Sequence, residues 1–149
     1  MDYFAGKAEW GIKVYCNVDR LAEGKSKQQS NEEITKSPGL AYFAKRKQDI
    51  AMEKELRQLM YDMSQEIYDR LAKFAVDSRQ NELLDSKATG KEKPMILNAA
   101  YLINQSELEA FNNELAKIQE KFVCELSVSG PWPPYNFVAH AGKSVMSDE

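Results

Sequence analysis

From Leu40 to Thr89 the chain contains neither glycine nor proline. Apolar residues recur through that stretch at Leu40, Phe43 and Ile50, then at Leu56, Met60, Met63, Ile67, Leu71 and Phe74, in steps of mostly three and four. This is the period of one amphipathic helix. Ser37-Pro38 supplies its start, because a capping hydroxyl followed by a proline at the first helical position wastes no N–H. The pattern predicts a helix running to about Leu83, on the order of 65 Å long at 1.5 Å per residue. A small domain is narrower than that, so part of the helix projects as a coiled-coil-like arm. Its apolar stripe then needs a cover, either from the polar segment Val18 to Lys36 folding back or from another chain.

The flanks read differently. Glu9 to Cys16 alternates, with Trp10, Ile12, Val14 and Cys16 on one face against Glu9, Gly11, Lys13 and Tyr15, the mark of a half-buried strand. Val18 to Lys36 reads as a mobile link with a short helix around Asn31 to Thr35. Ser86 to Lys93 is a loop closed by Pro94. Met95 to Ile103 is apolar on both faces, as a central strand covered on both sides should be. Asn104-Gln105-Ser106-Glu107 reads as a capping box opening a second helix with Leu108, Phe111, Leu115, Ile118 and Phe122 on its inner face. Val123 to Val128 is a last strand. It runs into Gly130-Pro131-Trp132-Pro133-Pro134-Tyr135-Asn136-Phe137, where prolines stiffen the backbone and remove donors. That run is expected to be a rigid exit from the strand, with Trp132 and Tyr135 as a lid on the sheet face away from the helices.

The fold class is therefore α+β: a small three-stranded sheet with one packed helix and a long inserted helical arm. One domain over residues 1–149 is expected, with the α+β body at 7–17 and 94–138, the arm at 18–93, and a flexible tail at 139–149.

Charge and chemistry narrow the function. A net charge of −3 from mixed acids and bases gives no general field for nucleic acid. The chain has no apolar run near the roughly 20 residues that cross a bilayer, so neither nucleic acid nor membrane is an expected partner. The two cysteines, Cys16 and Cys124, fall at inward phases of strands and read as buried thiols. With His140 the single histidine, the usual zinc sets cannot be assembled. The glycines form no phosphate-cradling loop. The acids Glu53, Glu55, Asp62, Glu66 and Asp69 follow the outer face of the long helix. No catalytic constellation is legible, and no metal or cofactor is expected. Pro131 and Pro134 satisfy a PxxP spacing, yet a strand directly before them is the wrong context for a flexible proline ligand.

Four pieces of the chain, in order, resemble the gas vesicle protein F/L family: Lys7 to Val14 (KAEWGIKV), Gly39 to Phe43 (GLAYF), Leu97 to Ile103 (LNAAYLI) and Gly130 to Val138 (GPWPPYNFV). The last is the most specific. Full-length members carry a further N-terminal α+β domain ahead of the Glu9-Trp10-Gly11 strand, so this chain is expected to be a short member or a C-terminal piece. The resemblance implies a non-enzymatic, cytoplasmic assembly factor or minor component, associated with gas vesicles, that binds the hydrophobic shell protein and other gas vesicle proteins during nucleation. Trp132, Pro133 and Tyr135 on the proline-rich run, and Met60 and Met63 on the long helix, are the candidate partner-binding residues, since large amphipathic and adaptable side chains suit such contacts. The alternative is a scaffold module that forms a homodimer through the long helix, unrelated to any shell protein.

Overall fold

The computed structural model describes residues 4–28 and 38–138. In chain order the elements are β1 (Lys7–Cys16), α1 (Val18–Gln28), α2 (Pro38–Ala72), β2 (Asp77–Gln80), a single turn α3 (Ser86–Thr89), β3 (Met95–Asn104), a 3-10 turn at Gln105–Glu107, α4 (Leu108–Lys121) and β4 (Cys124–Trp132). Among the described residues the sheet has four strands in the order β2-β3-β1-β4, and every pairing is antiparallel. This is the doubled split β-α-β arrangement of ferredoxin-like folds, with β1 and β2 flanking β3, β3 and β4 flanking β1, and a long first crossover through α1 and α2. The α+β class is as expected, but the strand number is four rather than three.

The additional strand comes from the stretch that continues the helical pattern. The long helix ends at Ala72 instead of Leu83, in two tight turns where Phe74 N–H donates to Leu71 O and Ala75 N–H to Ala72 O, each at 3.1 Å. Val76 N–H then donates to Leu102 O at 2.8 Å, and Asp77 to Gln80 pairs with Leu102 to Ala99. The outer row of β3 would otherwise be a line of unpaired donors and acceptors beside a core, and satisfying it outweighs weak local propensity. At 35 residues α2 is still on the order of 50 Å long, which suits a coiled-coil arm.

One face of the sheet carries the main core. Ile12, Val14 and Cys16 of β1 and Leu97, Ala99, Tyr101 and Ile103 of β3 meet Phe111, Leu115 and Ile118 of α4 and Met63, Ile67 and Leu71 of α2. Tyr101 sits at its centre, 5.6 Å ring to ring from Phe111 and 5.7 Å from Tyr68. Its hydroxyl donates to Tyr68 O at 3.1 Å, which keeps a buried phenol satisfied. Burial pushes its pKa upward. Across the helix layer Arg70 donates to Glu114 at 2.7 Å, tying α2 to α4.

Several local expectations change. The start of the predicted link is helical: α1 touches α2, and its Val18 and Leu21 pack on the same core cluster as Met60. Internal cover thus reaches part of the stripe. Farther up the same helix Phe43 and Ile50 stay exposed. The capping box does not form. Asn104 remains in the ladder opposite Lys7, and Gln105 N–H donates to Gly6 O, so a 3-10 turn intervenes and no side-chain cap bond is made. β1 is buried on both faces at Glu9 and Tyr15 rather than half-buried. The expected short helix at Asn31 to Thr35, the tail from residue 139 and His140 lie outside the described residues.

The proline-rich run is not wholly an exit. Pro131 and Trp132 belong to β4, where Trp132 pairs with Glu9 across an irregularity in register. β4 is an edge strand, so a missing N–H there need not break a ladder bond. Gly130 makes the irregularity feasible. Its φ is +132° and a Cβ would stand 2.9 Å from Glu9 O and 3.0 Å from the Trp10 ring.

Candidate functional site

Beyond Trp132 the chain turns at Pro133-Pro134 into one helical turn, Tyr135 to Val138. Proline cannot donate, so its carbonyls act alone: Tyr135 N–H donates to Pro133 O at 2.7 Å, and Phe137 and Val138 donate to Pro134 O. A carboxylate holds this turn against the sheet. Glu9, 6% exposed, accepts from Asn136 N–H at 2.9 Å and from Asn136 Nδ2 at 2.6 Å. Two charge-assisted bonds satisfy the buried carboxylate and fix the direction of the turn.

That lock decides which aromatic residue covers the second face. Phe137, 3% exposed, packs on Ala100 and Leu102 with Phe4 beside it, and the Arg79 guanidinium lies 5.5 Å from its ring centroid. The expected lid residues face outward instead, with Trp132 48% and Tyr135 66% exposed and Pro133 exposed between them. The covering role thus falls on Phe137, while Trp132, Pro133 and Tyr135 form a rigid outer rim. On the helix side of the same strand end, Gly6, Ala8, Trp10, Ile103, Leu108 and Pro131 line an apolar groove of about 310 Å³.

The other two candidates separate. Met63 is buried in the core between α2 and the sheet. Met60 is partly buried on the wall of a second groove of about 220 Å³, together with Tyr61, Leu83, Met95 and Ile96. Tyr61 and Leu83 are largely exposed there. Sequence reasoning missed Glu9, Phe137 and Leu83. Glu9 sat at an outward strand phase, Phe137 behind two more conspicuous aromatics, and Leu83 on a presumed helix. A hint was available in Asn136, a side chain with two amide donors placed directly after the prolines.

Little reactive chemistry accompanies these surfaces. Cys16 and Cys124 are register partners on β1 and β4 and both are free thiols. Burial pushes both upward, Cys124 to about 11, so neither is a ready nucleophile or metal ligand near neutral pH. Among the described residues no group of histidine, cysteine, aspartate or glutamate could hold a metal ion. None of the described helices is long and apolar enough to cross a membrane.

Exposed aromatic groups at a strand end, two apolar grooves and a long helix mark an α+β module. Which one is settled by comparison with known proteins. The family model described as "Gas vesicle synthesis protein GvpL/GvpF" matches residues 1–139, and the chain belongs to that family. Gas vesicle protein F of Haloferax mediterranei is 31% identical over 75 residues, covering 49% of this chain and 32% of that protein. Gas vesicle protein L of a Streptomyces species is 26% identical over 144 residues, covering 94% of this chain and 52% of that one. The chain therefore spans between about a third and a half of the length of these relatives. The fold is that of the crystal structures of GvpF from Anabaena, with a TM-score of 0.61 at 18% identity over 90% of this chain and 51% of that one, and from Microcystis aeruginosa, with 0.57 at 21% over 90% and 55%.

Proposed function

We propose that this chain acts in gas vesicle formation as a non-enzymatic assembly factor or minor component in the cytoplasm, holding the shell protein and other gas vesicle proteins during nucleation. The family match over residues 1–139 carries this reading. The surface supports it physically: a subunit destined for an apolar shell needs its sticky area covered before assembly, and Trp132, Pro133 and Tyr135 are large, exposed and rigidly held. Rigid anchors lose little entropy on contact and are the residue types that dominate interface energy.

The test is co-purification of this chain with its organism's shell protein, comparing wild type with Trp132→Ala/Tyr135→Ala. Two anchors at roughly 1–2 kcal/mol each predict retention weakened by about 30- to 1,000-fold. Undiminished retention by the folded double variant removes these residues from the contact, and no retention by wild type removes shell binding from this chain.

A second reading, self-pairing through α2, is favoured by Phe43 and Ile50. They lie seven residues apart on one face and are 70% and 57% exposed. It predicts a concentration-dependent dimer abolished by Phe43→Glu/Ile50→Glu.

A further inference from the structure

The two edges of the sheet are built differently. β2 is a four-residue strand, Asp-Ser-Arg-Gln, short and polar in the way that edges avoid unwanted pairing. β4 is nine residues long and carries one charged side chain, Glu125. Lys91 and Lys93 already neutralise that carboxylate at 2.8 and 3.3 Å. Among the described residues no strand lies beyond β4.

The hydrogen-bond phase shows what this edge presents. Asn17 N–H donates to Val123 O, and the register continues through Tyr15 with Glu125, Lys13 with Ser127 and Gly11 with Ser129. In an antiparallel ladder, bonded and non-bonded pairs alternate. Residues 123, 125, 127 and 129 therefore turn their main-chain groups toward β1, and Cys124, Leu126 and Val128 turn theirs away. On the helix side of the sheet the same edge carries Leu126, partly buried, and Val128, 43% exposed. Among the described residues nothing pairs with the outward donors and acceptors beside this apolar shelf.

We propose that β4 pairs antiparallel with β4 of a second copy of this chain, about a two-fold axis at Ser127, to give a continuous eight-stranded sheet. The sequence Cys-Glu-Leu-Ser-Val-Ser is complementary to itself in that register. Leu126 lies opposite the second copy's Val128 on the helix side, twice by symmetry. On the other side Ser127 lies opposite its own copy and Glu125 opposite Ser129, so no like charges meet across the axis. Outward N–H and C=O groups of Leu126 and Val128 then bond to their counterparts, and the ladder stops at Pro131, which has no N–H to give.

The experiment uses the full chain. Light scattering over a concentration series is expected to show a dimer, and Val128→Lys is expected to raise its dissociation constant at least about tenfold, since the introduced ammonium would face an apolar neighbour. Val128 is half-exposed with its N–H turned away from β1, so folding should survive. Independently, S127C is expected to form an intermolecular disulfide under mild oxidation. Directly opposed residues of a non-bonded pair stand about 4.5 Å apart at Cα, within disulfide range. S129C should not link to itself, because in this register its copies are offset by about 13 Å. Peptide mapping separates these links from any to Cys124. A monomer at every concentration overturns the proposal. So does a dimer that ignores Val128→Lys and gives no S127C link, which would place self-association elsewhere, with Phe43 and Ile50 the next residues to test.

Discussion

Replacing Phe137 by alanine is the most informative perturbation of the proline-rich segment. The ring is 3% exposed, rests on Ala100, Leu102 and Phe4, and supports the Arg79 guanidinium from below. Burial of a phenylalanine side chain stabilises by roughly 1.5–3 kcal/mol, and loss of the cation–π contact removes about 0.5–1 kcal/mol more. A cavity penalty would normally be added. The second face lies near the surface, where water or the turn itself can fill the space, so the lower end of the usual phenylalanine-to-alanine range applies, about 3 kcal/mol. With a urea m-value of about 2 kcal/mol/M, the midpoint should fall by about 1.5 M. Tm should fall by about 6–12 °C for a chain of this size. Trp132→Ala is the internal control: at 48% exposure it should shift the midpoint by less than about a third of that. Equal effects of the two variants, or a Phe137→Ala loss below about 1 kcal/mol, would refute the assignment of Phe137 as the lid and of Trp132 as an outward anchor.

Gly130→Ala should destabilise by at least about 2 kcal/mol in urea unfolding, because φ is +132° and the new methyl would meet Glu9 O and the Trp10 ring. Stability should also decline in alkali. The folded Cys124 thiol is raised from 9.0 to about 11, so between those values the unfolded chain releases a proton that the folded chain keeps. The contribution is fully present below pH 9 and lost as pH climbs through 11. Cys124→Ser should flatten that slope in denaturant titrations at a series of pH values.

The elements that could be read in the sequence were those whose local pattern and tertiary role agree. β1 and β3 alternate or run apolar because Ile12, Val14 and Leu97 to Ile103 face packed layers, and α4 shows Phe111, Leu115 and Ile118 at helical spacing because one stripe meets the sheet. The core-facing part of α2 was legible for the same reason, through Met63, Ile67 and Leu71. β2 was not. Asp77 to Gln80 has neither alternation nor branched residues, and only the vacant outer row of β3 makes it a strand. At the candidate site, the rim residues stood out by type, but their direction did not. Local pattern makes Trp132 and Tyr135 the expected lid, and the residue that covers the sheet is Phe137, because Glu9 grips Asn136 and turns the helical segment that way.

By itself, then, the sequence determined which segments carry periodic apolar faces, where the stiff proline run falls, and which family motifs are present. Each is local, since a dihedral restriction or a repeat of two or three to four residues is written within a few neighbours. Where α2 ends, which strands sit at the edges, and which way the last aromatic residues point were decided by tertiary structure alone. Those choices are made when main-chain donors and buried charges must find partners, and the partners are far away in the chain: Val76 with Leu102, and Glu9 with Asn136.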